Sequence, residues 1–464
     1  MKLRNWWRSR KTGPITVLLC LVSATSDAGQ QRAVERNSAA TPRAEPSASD
    51  VEAQRATANA RFLLGDEYGA LDALNSVGEP RISEVKIEGL VRAKRTTVAD
   101  YLGIASGDVL TSERLSRAAR RMADLPVASK ATVRYDLGDD SVVLRPILFE
   151  RNRFYATPAD WVPVGVRAAF TQEVRLTLSD ATGHGDVWTP SFRWASGRPR
   201  VALETAAPAP SWLPGTIHFD TSWQRYRYLD RSSGAGTVIE EDRTRAGVAL
   251  SDWLTSWLQW KGGAAVDHIA STTYVALNAN LNARSFNDHV ATMVGGTWYR
   301  AETQRFATGD FAVAMRSTTY DDRPLVTGLV GFAVAGDSAP LALWPAASSG
   351  TDQTSQLRAH RLFDSGIVTS ETFGRQLLFA STEYVHPLPT RLGPGFMGLA
   401  GFVDAAQARS RLEAAASPLH VDVGVGLRVN TSRSGSRVRI DFGYGLRDGH
   451  TRVSAGYVQP WGKR

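Results

Sequence analysis

Cysteine is nearly absent from this chain of 464 residues: Cys20 stands alone. A single thiol excludes a disulfide framework and any cysteine-based metal centre. Lysine is scarce as well, with 7 against 47 arginines. The net charge is +8, half of it in residues 1–28, and the remaining +4 is too small to mark a nucleic-acid-binding surface. No apolar run reaches the roughly 20 residues that a membrane helix needs. The best candidate is PITVLLCLVSA, residues 14–24. Catalytic signatures are also missing: there is no Gly-x-Ser-x-Gly elbow, no Gly-x-x-x-x-Gly-Lys phosphate loop and no His-Glu-x-x-His. The eight histidines (184, 218, 268, 289, 360, 386, 420 and 450) are scattered without ligand spacing. No metal, cofactor, nucleotide or enzymatic activity is therefore expected, although scattered serines and histidines leave a lipid hydrolase open.

What is present begins with the N-terminus. Lys2, Arg4, Arg8, Arg10 and Lys11 precede the short apolar stretch, and small residues follow it at Val22-Ser-Ala24 and Ser26-Asp-Ala28. A basic flank, a short apolar core and a small-residue cleavage site read as a secretory signal over 1–28. Residues 29–79 open with an Ala-, Ser- and Pro-rich stretch and are read as a disordered or weakly helical linker. Residues 80–152 change character. ISEVKIEGL (82–90) alternates as a strand, and TTVADYLGI (96–104) reads as a short helix. TSERLSRAARRMADLP (111–126) is a stronger helix: Thr111 can cap it, Leu115, Ala118, Ala119 and Met122 share a face, and Pro126 ends it. ATVRYDL and SVVLRPILFE then flank a Gly-Asp-Asp turn, which is a hairpin signal. The order is β-α-α-β-β, without a tryptophan.

From residue 153 onward alternation dominates. In LHVDVGVGLRVN (419–430) Leu419, Val421, Val423, Val425, Leu427 and Val429 fall on one face, and His420, Asp422, Gly424, Gly426, Arg428 and Asn430 on the other. VALNANLNAR (275–284) and RVRIDFGYGLRD (437–448) behave alike. Similar stretches occupy 172–179, 187–195, 198–205, 215–228, 237–250, 255–267, 290–301, 306–317, 325–335, 375–386, 395–405 and 450–461, giving about sixteen strands. Several exceed ten residues, whereas strands of soluble proteins usually hold about 5–6 and membrane strands about 9–11. A charge facing lipid at mid-depth costs about 2–4 kcal/mol, so the polar rows belong in the lumen of a membrane barrel. Trp188, Trp194, Tyr299 and Trp461 are placed at strand ends as an aromatic girdle, and Tyr457 and Trp461 on a barrel-closing C-terminal strand. The acidic clusters 240–242 and 321–323 are read as loop tips. A large soluble all-β protein, or tandem sandwiches, would share the alternation with shorter strands. The fold class expected is mainly β: a transmembrane antiparallel β-barrel over 153–464, preceded by one α+β domain.

This pairing resembles the BamA/TamA superfamily, which includes the two-partner secretion transporters and carries periplasmic POTRA modules. ISEVKIEGL, GDVLT (107–111) and the following helix and hairpin resemble one POTRA repeat. LLFASTEYVHPL (377–388) and GFVDAAQA (401–408) are similar to two C-terminal barrel signatures of that superfamily. The resemblance implies that a long surface loop folds into the lumen with Val-Arg-Gly-Phe or Val-Arg-Gly-Tyr at its tip. HRLF (360–363), in the polar stretch 346–373, is matched to that tip; it keeps Arg361 and Phe363 and has Leu362 in place of glycine. By the same resemblance Glu383 and Asp404 are the lumen-wall acids that pair with Arg361. The function implied is an outer-membrane pore, with its POTRA domain in the periplasm, that translocates or inserts proteins. Its partners would be unfolded outer-membrane or secreted clients and outer-membrane lipid, with no nucleic acid. Clients would be received by strand addition at the POTRA sheet edge, near Val85, Ile87, Val133 and Tyr135. A passive channel, or a structural barrel whose periplasmic domain only docks envelope partners, is the alternative.

Overall fold

The architecture is given by a computed structural model, which describes residues 47–458 except 79, 139–140, 156–157, 231–235, 320–322, 348–356, 370, 393–394, 413–415 and 431–436. Residues 1–46, which include the expected signal, Trp461 and part of the 321–323 cluster lie outside the described residues. The remainder of the expected linker is two helices, α1 (Ala48–Leu63) and α2 (Glu67–Asn75). Ser47 starts α1 with a reciprocal capping box: its hydroxyl accepts from the Asp50 amide and the Asp50 carboxylate accepts from the Ser47 amide, both at 3.2 Å. Asp66 caps α2 by accepting from the Gly69 amide at 2.9 Å. Ala58, Ala70, Leu71, Ala73 and Leu74 bury the shared face, so this segment is more ordered than its polar composition predicts. The described residues 47–77 make up one compact unit.

The second unit begins at Gly78. It opens with β1 (Arg81–Val85), α3 (Arg95–Leu102), α4 (Ser112–Asp124), β2 (Ala128–Leu137) and β3 (Ser141–Glu150), the order read from the sequence. The three strands form a sheet in the order β1-β3-β2, with β1 parallel and β2 antiparallel to the central β3. Thr111 caps α4, its hydroxyl accepting from the Arg114 amide at 3.2 Å. Ile82, Leu115, Met122, Tyr135, Leu144 and Leu148 fill the core. Glu150 ties the β1–α3 loop to β3 by accepting from the amides of Val91, Arg92 and Ala93. Burial opposes its charge, but these donors outweigh burial and hold the carboxyl below its usual range.

A helix that the alternation did not announce follows, α5 (Pro158–Thr171), packed against the first and last strands of the barrel. The barrel strands are β4 (Glu173–Arg175), β5 (Leu178–Ser179), β6 (Val187–Arg193), β7 (Arg200–Pro208), β8 (Thr216–Asp230), β9 (Thr237–Trp253), β10 (Leu258–Ile269), β11 (Thr272–Ser285), β12 (Val290–Arg300), β13 (Arg305–Arg316), β14 (Leu325–Ala335), β15 (Phe363–Asp364), β16 (Ile367–Val368), β17 (Gln376–Leu392), β18 (Gly395–Arg409), β19 (His420–Asn430), β20 (Arg437–Gly445) and β21 (Thr451–Val458). The sheet closes on itself. Among the described residues the eighteen strands occupy fifteen places in the wall, against about sixteen expected, for two reasons. β4 and β5 are successive fragments paired with the same neighbour β6. β15 and β16 form a hairpin inside a loop, because β14 pairs directly with β17.

Alternation sorts the barrel's two faces. Leu277, Leu281, Val425, Phe442 and Tyr444 lie on the outside, with Val425 63% exposed, while Asp404, Asp422, Arg428, Arg439 and Asp441 are buried inside. The oily rows do not pack against a second sheet, which removes the sandwich reading. No helix among the described residues is long and apolar enough to cross a membrane.

Two expectations are corrected. Tyr299 is buried inside, packed between Tyr274 and Phe306, and its neighbour Trp298 is the outward residue. A one-residue shift reverses the face of a strand side chain. Residues 240–242 are not a loop tip but part of β9, where Glu240 pairs with Arg227 and Asp242 takes both ends of the Arg225 fork, across the ladder to β8.

The connections that follow β7, β9 and β11 share one end of the barrel, and α4 is clamped to that end. Arg121 donates to both oxygens of Asp252 at 2.8 and 2.5 Å, and Arg120 to both oxygens of Asp288 at 2.6 Å. Arg117 donates to the Trp253 carbonyl at 2.7 Å, and Asp124 accepts from the Trp253 indole at 2.7 Å. Gly103 ends α3 in the left-handed region at φ +68°, and a Cβ there would meet the Arg121 guanidinium at 2.3 Å. The run Arg-Ala-Ala-Arg-Arg is thus a junction rather than a solvated face.

In lipid vesicles, Val425→Arg is expected to cost about 2–4 kcal/mol of folding stability, read by reversible urea unfolding. The lumen substitution Asn278→Ser should stay within about 0.5 kcal/mol. At the junction, Asp252→Ala strands the buried Arg121 and should cost about 3–5 kcal/mol locally, seen as faster hydrogen exchange in 112–124 and 253–258. Replacing both partners, Arg121→Met with Asp252→Leu, should recover most of that protection.

Candidate functional site

The described parts of the connection from β14 to β17 (residues 336–375) turn back into the barrel. On one wall Val368 pairs with Tyr228 of β8, the Ala342 amide donates to Glu241 of β9 at 2.8 Å, and Phe373 stacks between Tyr228 and Trp344. A cavity of about 450 Å³ remains there, lined by Arg193, Arg200, Arg243, Arg245, Glu204 and Asp220 among others. On the opposite wall the loop is held by charge.

Arg358 is the centre of that contact. Its guanidinium donates to Glu383 of β17 at 2.7 Å and lies 3.1 Å from Asp404 of β18 and 3.8 Å from Asp441 of β20. It also stands 3.9 Å over the Phe402 ring. Arg428 of β19 grips Glu383 from the other side, at 2.7 and 2.5 Å, and donates to Asp441 at 2.6 Å. Arg439 lies 3.2 Å from Asp441, and the Ser381 hydroxyl donates to Asp404 at 2.6 Å. The next loop residue donates its main chain: the Ala359 amide reaches Asp422 at 2.6 Å. His360 then lies between Asp422 and Asp448, at 2.8 and 2.7 Å. Burial disfavours the charged ring, but the two carboxylates outweigh it and raise His360 above its ordinary value.

The wall is shaped for this loop. A Cβ on Gly443 would meet the Ala359 nitrogen at 3.0 Å, and one on Gly426 would meet the Asp441 carboxylate at 2.2 Å. The glycines at lumen positions of β19 and β20 therefore mark where the loop and its partners lie against the wall.

Sequence reading put Glu383 and Asp404 on the correct face but chose the wrong arginine. Arg361 is exposed, and Phe363 packs under the Arg198 guanidinium at 3.9 Å instead of serving as a loop tip beside the acids. The physical reason is the loop's reach: among the described loop residues it is Arg358–His360 that meets the acids of β17 to β20. The loop residues that reach the wall are Leu357-Arg358-Ala359-His360, an aliphatic residue, an arginine, a small residue and a ring. Searching for an aromatic two places after the arginine missed it, whereas the small residue directly after Arg358 was a usable signal. Asp422, Arg428, Arg439 and Asp441 were legible as polar faces without a partner.

The other candidates are placed as follows. Ile87, Val133 and Tyr135 point into the core of the α+β domain, and Val85 is half-buried, so these side chains are not a docking face. The outer side of β1 is partly taken: Arg81 pairs with Val109, the Gly107 amide donates to Ile82, and the Ser106 hydroxyl donates to the Ser83 carbonyl at 2.6 Å. β2 lies at the other edge of the sheet. Tyr457 belongs to β21, opposite Val438.

Removing Arg358 leaves the buried Asp404 without its nearest cation and takes one of two arginines from Glu383. Arg358→Ala should therefore destabilise the barrel by about 3–5 kcal/mol, read as a lower midpoint for loss of the heat-modifiable folded form in detergent. Arg361→Ala should stay within about 0.5 kcal/mol.

No family model matches the chain, and no curated protein matches it in sequence. Solved structures do. CdiB from Escherichia coli is similar with a TM-score of 0.57 at 11% identity, over 90% of this chain and 88% of that one. CdiB from Acinetobacter baumannii gives 0.52 at 11% identity, over 90% and 87%. BamA from Haemophilus ducreyi lacking POTRA domains 1-3 gives 0.47 at 12% identity, over 81% and 83%. With the closed sheet, the oily exterior and the ionic lumen, the likenesses to CdiB fix the architecture: the chain has the transmembrane β-barrel fold of the two CdiB structures.

Proposed function

We propose that the chain is an outer-membrane barrel that passes proteins outward or inserts them, with residues 80–152 acting as a periplasmic POTRA domain. The observation that carries this reading is the inward loop held by Arg358 on Glu383 and Asp404, joined to a barrel whose opposite end is clamped to an α+β domain. The fold shared with CdiB supports it, as does the resemblance of both barrel signatures to the BamA/TamA superfamily. Clients add a strand to β2, where main-chain bonds supply affinity without demanding a sequence. The loop then closes the lumen between clients. A passive channel is favoured less, because the segment that crosses the lumen is tied to both walls.

Photocrosslinkers at Lys130, Arg134 and Asp136, exposed on β2, should capture nascent outer-membrane or secreted proteins in cells. Adducts at none of these positions, in a chain that still assembles, would remove the client-handling reading. Deleting 346–373 separates the alternatives: a passive channel keeps or gains solute flux with no client affected, whereas a translocation or insertion pore loses client delivery.

A further inference from the structure

Residues far apart in sequence meet at the end of the barrel opposite the α4 junction. His360 lies on the inward loop, His420 opens β19, and Asp448 sits in the connection from β20 to β21. One ligand atom from each falls within 4.8 Å of the others. The Asp448 carboxylate stands 2.7 Å from His360 Nε2 and 3.7 Å from His420 Nδ1, and Glu371 lies 3.1 Å from His420 Nε2. The two imidazoles meet edge to face at 4.7 Å. The His420 side chain is 4% exposed, yet neither of its nitrogens makes a well-formed hydrogen bond. The ring is held among carboxylates, with Glu371 facing Nε2 and Asp448 facing Nδ1, an arrangement open to a ligand role.

We propose that His360, His420 and Asp448 bind one divalent transition-metal ion of the zinc type, with water completing the set and Glu371 facing the far nitrogen of His420. Two imidazole nitrogens and one carboxylate suit Zn²⁺, whereas Ca²⁺ and Mg²⁺ take oxygen ligands. Zinc bonds of about 2.0–2.2 Å in a tetrahedron put neighbouring donors about 3.3 Å apart. The distances of 2.7 and 3.7 Å bracket that value, so small side-chain rotations suffice. The outer shell is also in place. Asp422 faces His360 Nδ1 at 2.8 Å, the arrangement that orients a zinc-bound imidazole through its far nitrogen. Asp448 is fixed by the His450 amide, which donates to its other oxygen at 3.1 Å.

The ligands come from three separate elements, and His360 is two residues from Arg358. Metal binding therefore cross-links the inward loop to β19 and to the β20–β21 connection, next to the ionic contact that seats it. This site follows from the cluster itself and stands whether or not the barrel handles protein clients.

The test uses the full chain folded in detergent, stripped with chelator and titrated with Zn²⁺ against a chromophoric competitor. One equivalent should bind. His420→Ala and Asp448→Asn should each weaken binding by at least about 10-fold, and Asp422→Asn by about 10-fold through the outer shell. His386→Ala, on the outer face of β17, should change nothing. Because a lumen variant can fail to fold, Co²⁺ is added to the unsubstituted chain as well, where an intense visible absorption of four-coordinate cobalt should saturate at one equivalent. Absence of stoichiometric Zn²⁺ binding and of that absorption, or an affinity unchanged in folded His420→Ala, overturns the proposal and leaves an imidazole–carboxylate contact alone.

Discussion

Glu383, Asp404, Asp422 and Asp441 stand on four adjacent strands, β17 to β20, three of them with essentially no exposure to water. Drying a carboxylate costs several kcal/mol, and only a well-placed cation with additional hydrogen bonds repays it. The wall itself supplies Arg428 and Arg439, which both reach Asp441. The remaining cation comes from outside the wall: Arg358, brought in by the loop, with His360 and the Ala359 amide beside it. The loop is therefore part of the barrel's electrostatic closure. Glycines at 426 and 443 follow from it, since the space that a side chain would fill is given to Asp441 and to the loop backbone.

Why so much ionic chemistry gathers inside follows from the sheet's two faces. A closed sheet with period-two alternation sends one row of each strand outward, and that row here is Val, Leu, Phe and Tyr. Charges on the strands at the depth of the oily band must then turn inward, where they pair. The same logic works at the junction, where α4 sets Arg117, Arg120 and Arg121 against Asp252, Asp288 and the Trp253 carbonyl. The cations in both networks are arginines. A guanidinium fork can hold two carboxylate oxygens, or two carboxylates, at fixed angles, which an ammonium cannot do.

The barrel was legible because its signal repeats: each stretch read as alternating from 172 onward contains a strand of the structure. The capped helix from Thr111 was legible because cap, face and terminating proline agree. α5 was not, since Pro163 and Gly165 interrupt its pattern and its stability comes from packing against β4 and β21. Tyr299 was misjudged because composition at a strand end does not fix parity. The loop arginine was misplaced by three residues because register within a loop is set by tertiary contact, here the reach of Leu357–His360 to the wall. The His360, His420 and Asp448 cluster was invisible for the same reason: ligands from three elements leave no spacing in one dimension.

These observations bear on how firmly the loop is seated. The gross attraction between Arg358 and its acids is large only while the site is dry. An exposed arginine–carboxylate pair is worth about 0–1 kcal/mol, whereas breaking a buried one by removing a partner costs about 3–5 kcal/mol. Displacing the loop as a whole does both things at once, because water enters with the movement and solvates Arg358, Glu383 and Asp404 together. The loop is held by the exclusion of water as much as by charge. Its apolar contacts, Phe373 and Trp344 against Tyr228 on one wall and Leu357 against Leu377 and Phe379 on the other, keep that water out. Seating is thus cooperative: the oily contacts make the ion pairs strong, and the ion pairs fix the register in which the oily contacts form.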